Sequence, residues 1–266
     1  GQGEGLRNTI ALRGRAGAQG LLHWSGNFDE VQDFEGQIRS LAGGMGLMSD
    51  VSFNAGTRSQ PLGDLKTGAS GDLDALAAYV GSLDSFDPSP HRDAAGALTA
   101  TGSAGRAVFI AKGCTGCHGG TAFTNSALMP LQNIGTLKPS SGQRLGGALT
   151  GIDPPTLRDV WQTGPYLHDG SAATLDAAVL AHNGVSLTPA DLNSLVQYLR
   201  ETGSEEASAP GAQFSSLVAA LAFNEGSGTA SADLAGNAHT AALQNGTAWA
   251  AGQYGNAVSF DGTNDQ

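Results

Sequence analysis

Cys114-Thr115-Gly116-Cys117-His118 contains both cysteines of the chain. A C-x-x-C-H stretch is the attachment pattern of c-type haem: each thiol adds across one vinyl group, and the adjacent histidine lies under the iron as its proximal ligand. The same five residues admit three other readings. They could be a thioredoxin-like redox pair, a structural disulfide or half of a zinc site. A redox pair calls for a βαβ context, whereas the flanks here are glycine-rich. A zinc site calls for a second Cys or His pair at close spacing, and none follows. The spacing therefore points to one covalent haem c.

Working outward, Ala104 to Lys112 reads as a short helix leading into the motif. Downstream, Thr188-Pro189-Ala190-Asp191 is a helix start with Thr188 as N-cap and proline in the first turn. Leu192, Leu195, Val196 and Leu199 follow at helical spacing, and Gly203 ends the run. Residues 101–203 thus form a mainly α haem domain. Residues 1–100 read as a partial, loop-rich copy without a haem motif. Asp72-Leu73-x-x-Leu76-x-x-Tyr79-Val80 repeats as Asp191-Leu192-x-x-Leu195-x-x-Tyr198-Leu199. Leu12-Arg13 precedes Leu22-His23 by the interval that separates Leu157-Arg158 from Leu167-His168. Residues 204–212 read as a polar linker. Residues 213–266 read as short β-structure, with Leu217 to Phe223 as an apolar run and turn signals at Asn224-Glu225-Gly226, Asn245-Gly246, Tyr254-Gly255-Asn256 and Asp261-Gly262.

Composition narrows the function. The formal charge of −11 excludes a nucleic-acid partner as a sequence-level expectation. No apolar run reaches the ~18 residues of a membrane span. Forty glycines in 266 residues predict loops wrapped around a cofactor that supplies part of the core. No signal peptide is recognisable, so the sequence reads as a mature or incomplete chain. Covalent haem attachment takes place outside the cytoplasm, which implies export to the periplasm, the cell surface or beyond.

Pro155-Thr156-Leu157-Arg158-Asp159-Val160-Trp161, then Gly164-Pro165-Tyr166-Leu167-His168-Asp169-Gly170-Ser171 and Thr174-Leu175, resembles the bacterial di-haem cytochrome c peroxidase family; Phe123-Thr124 and Asn133-Ile134-Gly135 fit it as well. The resemblance spans residues 1–203 and implies tandem cytochrome c domains. Residues 222–262 resemble the opening of a laminin-G-like, concanavalin-like jelly roll, a class that binds glycans or proteins. Only its first part is present, so both ends of the chain read as cut.

The peroxidase resemblance implies an axial methionine fourteen residues beyond the His-Asp-Gly histidine. From His168 that count reaches His182. The expectation is a six-coordinate, bis-His haem between His118 and His182, with a helix over Ala177 to Asn183 presenting the second imidazole. Met129 is the weaker alternative ligand. His168 is expected to bond a propionate or the backbone. Arg158 is a candidate propionate partner, with a surface ion pair to Asp159 or Asp169 as the competing reading. Trp161, Tyr166 and Phe123 are expected to line the pocket, while Met45 and Met48 are expected in the core. His23, His91 and His239 carry no comparable context. The resemblance further implies a calcium site from Asn8 and the Thr163 and Pro165 carbonyls.

Two functions follow. The first is an electron carrier whose partner is a redox protein or further copies of the chain, in an oligomer or filament. The second is a peroxide reductase whose other haem lies outside this sequence.

Overall fold

The computed structural model describes residues 3–13, 20–41, 43–128, 131–210, 219, 221–223, 225–233, 239–252 and 256–264. Its helices are α1 (Glu35–Leu41), α2 (Asp50–Phe53), α3 (Gly71–Gly81), α4 (Ala100–Ala111), α5 (Leu175–Leu180) and α6 (Pro189–Arg200). The strands are short antiparallel pairs: β1 (Gln143–Arg144) with β2 (Gly147–Ala148), β3 (Ala230–Ser231) with β4 (Ala241–Ala242), and β5 (Ala248–Ala251) with β6 (Asn256–Ser259). The arrangement, helices and loops followed in the chain by a small β segment, is compatible with a cytochrome c-like domain.

The core is the crossing of α4 and α6. Gly105 makes it possible. A Cβ there would fall 1.9 Å from the Ser194 carbonyl oxygen and 2.8 Å from Tyr198 Cβ, so only glycine lets the helices approach this closely. Phe109, Phe123, Val160, Leu175, Leu195 and Tyr198 fill the space around the crossing. Thr188 caps α6 as its sequence predicts, its hydroxyl accepting from the Asp191 N–H at 3.1 Å. Helix α4 starts four residues earlier than the apolar spacing suggests. Thr99 caps it on the Gly102 N–H, and the Glu201 carboxylate accepts from the Thr99 N–H and hydroxyl. Packing and capping here override the poor helix propensity of Gly102 and Gly105.

Residues 204–210 are not a free linker. Ala209 is part of the core, and its N–H donates to the Gly120 carbonyl. Glu206 is buried, accepting from the Tyr198 hydroxyl and pairing with Arg92 and Arg106. The polar composition that suggests a linker is that of a buried ionic network. Residues 211 and 212, and the start of the Leu217 to Phe223 run, lie outside the described residues. The Asn245-Gly246 turn joins β4 to β5 with both residues at positive φ.

A stretch of the first half matches one of the second in local geometry, one residue out of the register that Leu22-His23 and Leu167-His168 suggest. An isolated bridge pairs Leu22 with Phe28, and its counterpart pairs Tyr166 with Ala172. Left-handed backbone falls at His23 and Gly26, then at Leu167 and Gly170. Helical turns begin at Val31 and at Leu175. Each pair is displaced by 144 residues, so Trp24, not His23, stands where His168 stands. His23 itself pairs with Glu4. Met48 is buried as expected, whereas Met45 is 90% exposed, because the glycine-rich loop around it turns outward.

Candidate haem site

Helix α4 stops just before the haem motif, and Gly113 turns the chain at φ 70° into a 3-10 turn over Cys114–Gly116. The His118 N–H closes back on the Cys114 carbonyl at 2.9 Å, and Asn125 pins the turn through the Cys117 and Gly116 carbonyls. The two thiols are not joined to each other. Burial pushes Cys114 up to about 11 and raises Cys117 as well. A redox pair of the thioredoxin kind works through a depressed thiol pKa, the opposite environment. Among the described residues, no cluster of three or more His, Cys, Asp or Glu could hold a metal ion. The alternatives to haem attachment therefore draw no support from the geometry.

His118 and His182 face each other, ring centroids 6.5 Å apart and planes at 60°. His118 Nδ1 lies 3.1 Å from the Pro155 carbonyl oxygen, and His182 Nδ1 lies 2.9 Å from that of Ala178. A carbonyl only accepts, so each Nδ1 is the donor, and in the neutral imidazole Nε2 is the nitrogen left with a lone pair. Both imidazoles line the same cavity as the two thiols, the donor set a covalent haem would take. Burial, then the neighbouring His182, push His118 down to about 4, against weaker opposition from the Pro155 and Phe123 backbone. His118 is thus neutral, the ligating form, at neutral pH. Helix α5 is shorter than Ala177 to Asn183 would imply, spanning Leu175–Leu180, and His182 sits in the turn just after it.

Both rings line a cavity of about 730 Å³, within the range of cofactor pockets. Cys114, Cys117, Ala178 and Val179 line it with them. Thiols at the attachment spacing, paired imidazoles and an apolar cavity fit a covalent haem.

Tyr166 and His168 line this cavity, though the His168 side chain bonds the Ser141 hydroxyl and not the backbone, whereas Trp161 and Phe123 are not on the cavity wall. Phe123 is buried in the core beneath the Arg158 guanidinium, 5.1 Å from its ring centroid. Trp161 packs edge-on against His91, and its buried Nε1 has no partner. Arg158 reaches the cavity wall, but its guanidinium donates to the carbonyls of Thr121, Gly203 and Ala207. These bonds stand in place of the surface ion pair anticipated for it and use three of its five N–H donors. His168 is 1% exposed, bonded through Nε2 to the Ser141 hydroxyl at 2.8 Å, with its carbonyl accepting from the Asn8 N–H. Met129 lies outside the described residues. His239 is exposed.

The first half supplies a wall that the motifs do not announce: residues 8–13, Trp24 and Phe86 all line the cavity. Only the 144-residue register marks Trp24, as the counterpart of His168. Asn8 and Pro165 do come together, the Asn8 amide donating to the Pro165 carbonyl at 2.5 Å. The Thr163 hydroxyl turns to the Val160 carbonyl.

The chain is 29% identical over 170 residues to hydrazine synthase subunit gamma of Kuenenia stuttgartiensis, covering 48% of each. It is 37% identical over 82 residues to cytochrome c551 peroxidase of Nitrosomonas europaea, covering 27% of this chain and 24% of that one. These likenesses support a cytochrome c peroxidase-like haem protein. The chain spans about half the length of the first relative and about a quarter of the second. Among solved structures, it is similar to Kuenenia stuttgartiensis hydrazine synthase at a TM-score of 0.37, with 26% identity over 48% of this chain and 54% of that one. A MauG-like protein associated with microbial copper homeostasis gives a TM-score of 0.42, with 17% identity over 74% of this chain and 73% of that one. No family model matches the chain.

Proposed function

We propose that this chain is an exported c-type cytochrome that carries electrons through one covalent, bis-His haem. The observation that carries this reading is the facing pair His118 and His182, each fixed by a backbone carbonyl so that Nε2 points a lone pair away from its hydrogen bond. Bound haem supplies a one-electron iron couple. The protein's part would be to fasten it through Cys114 and Cys117, offer the His118 and His182 imidazoles to its iron and surround it with apolar wall. Imidazole on both faces favours the ferric state relative to methionine and leaves no open coordination position. The redox partner is another protein or a further copy of this chain. Among the described residues no helix is long and apolar enough to cross a membrane, in keeping with a periplasmic or extracellular carrier.

The test is spectroscopic. The ferric protein should be low-spin and lack the red-region sulfur-to-iron charge-transfer band. A high-spin spectrum or that band would overturn the assignment.

The likeness to cytochrome c551 peroxidase favours a second reading, peroxide reduction with another haem held by polypeptide beyond these residues. A pyridine haemochrome count separates the two. One haem per chain in the natural protein supports the carrier, and two support the peroxidase. The juxtaposition of Asn8 and Pro165 keeps calcium in the proposal. Elemental analysis of purified protein that finds none removes it.

A further inference from the structure

Among the described residues two acids stand on the cavity wall, Asp153 and Asp159, and they are held differently. Asp153 Oδ2 accepts from the buried Ser126 hydroxyl at 2.8 Å. Asp159 is 3% exposed. Its Oδ2 accepts from the Asp87 N–H at 2.9 Å, while its buried Oδ1 has no hydrogen-bond partner. The backbone anchors the residue at φ 58°, with its N–H donating to the Thr202 carbonyl and its carbonyl accepting from the Gln162 N–H.

Three charges act on this carboxyl: Asp87, Arg13 and Arg158. Neither cation bonds it. Arg158 donates to three carbonyls, and Arg13 pairs with Asp87 itself. Burial, foremost, and then the Asp87 charge raise the Asp159 carboxyl above its ordinary range, against the Asp87 N–H and the two arginines. A buried, half-bonded carboxylate is stabilised by neutralisation. Added negative charge in the cavity strengthens that tendency. Unit charges about 10 Å apart, at an effective dielectric constant of about 20, alter a proton affinity about tenfold.

We propose that Asp159 takes up one proton as the haem takes up one electron, so that this chain carries the two together. The proposal rests on the haem reading above. A one-electron protein donor converts ferric iron to ferrous, and a proton from solvent converts the Asp159 carboxylate to the carboxylic acid. Both leave on reoxidation, and the net charge in the site is the same in the two states. Solvent is close at hand, because Asp159 bonds the backbone of Asp87, whose side chain forms a half-exposed pair with Arg13.

The test is the reduction potential of the haem-loaded protein, measured by spectroelectrochemistry at closely spaced pH values. The potential should fall as pH rises, because alkali removes the proton that favours the ferrous form. A tenfold change in proton affinity corresponds to a total fall of about 59 mV. Asp159→Asn keeps an acceptor for the Asp87 N–H and suits left-handed backbone; in it, that part of the fall should vanish. A second readout is the redox-induced infrared difference spectrum of the parent. Reduction should raise a protonated-carboxyl band that moves when aspartate is labelled with carbon-13 in its side-chain carboxyl, whereas a propionate band stays put. An equal fall in Asp159→Asn, the lack of a label-sensitive band in the parent, or its persistence in the variant would overturn this proposal and leave the haem reading intact. A chain that takes up no haem overturns both.

Discussion

At the scale of single residues, the geometry turns on two imidazoles and one glycine. On the proposed bis-His reading, replacing His182 by alanine removes one of the two iron ligands and leaves His118 in place. The expected outcome is a change from low-spin to high-spin ferric haem that takes up added cyanide or carbon monoxide faster than the parent, followed by absorption and paramagnetic resonance. Gly135 acts on the same ligand from a distance. It sits at φ 83°, and a Cβ there would come within 2.0 Å of the Asn183 amide, while the Asn183 N–H bonds the Ile134 carbonyl. Gly135→Ala should therefore push the 182–183 turn off its seat and raise a high-spin fraction. The double variant Gly135→Ala/Asn183→Gly, which removes the overlap, should restore part of the low-spin signal. Arg158 belongs to this scale as well. Two of its three carbonyl bonds fasten residues 203 and 207, so Arg158→Ala should expose that stretch to limited proteolysis ahead of the domain.

At the scale of elements, legibility followed the type of signal. Cys114, Cys117 and His118 are a local pattern, and local patterns survive folding. His182 is legible only through the peroxidase resemblance, which implies a ligand fourteen residues past His168, and its ring lies 6.5 Å from that of His118. Thr188 and Pro189 announce α6 through capping chemistry that needs no tertiary context. The start of α4 was hidden because Gly102 and Gly105 are poor helix formers retained for close packing. The wall role of Trp24 was hidden because cavity lining depends on how two halves meet. Residues 204–210 look like a linker because their charges pair only in three dimensions. The same crossing gives a stability prediction. Gly105→Leu drives a side chain into the Ser194 carbonyl and Tyr198, and overpacking at such a site costs about 1–3 kcal/mol or more, readable as a lower denaturation midpoint for apoprotein and haem-loaded protein alike.

At the scale of the whole molecule, acidity shapes the response to pH. Asp29 is pushed up to about 7 by burial, then by its hydrogen bond and charge repulsion with Asp33, with Glu30 adding a smaller push. The folded chain therefore holds a proton there that the unfolded chain gives up near the ordinary carboxylate value. A raised carboxyl pKa contributes most to stability at the acid end, and the contribution is lost as pH climbs to about 7. Stability of Asp29→Asn, compared with the parent across this window, should lack that decline. If both proteins fall alike between pH 4 and 7, another group is responsible.

The cavity wall contributed by residues 8–13 and Trp24 also governs cooperativity. With haem seated as proposed, the two halves would not be independent folding units, because the ligand would stabilise only the state in which both are assembled. Haem absorbance, which reports the second half, and the fluorescence of Trp24 in a chain whose Trp161 and Trp249 are replaced by phenylalanine, which reports the first, should then be lost in one coincident denaturation transition. Without haem, that coupling loosens and the first half should melt ahead of the second.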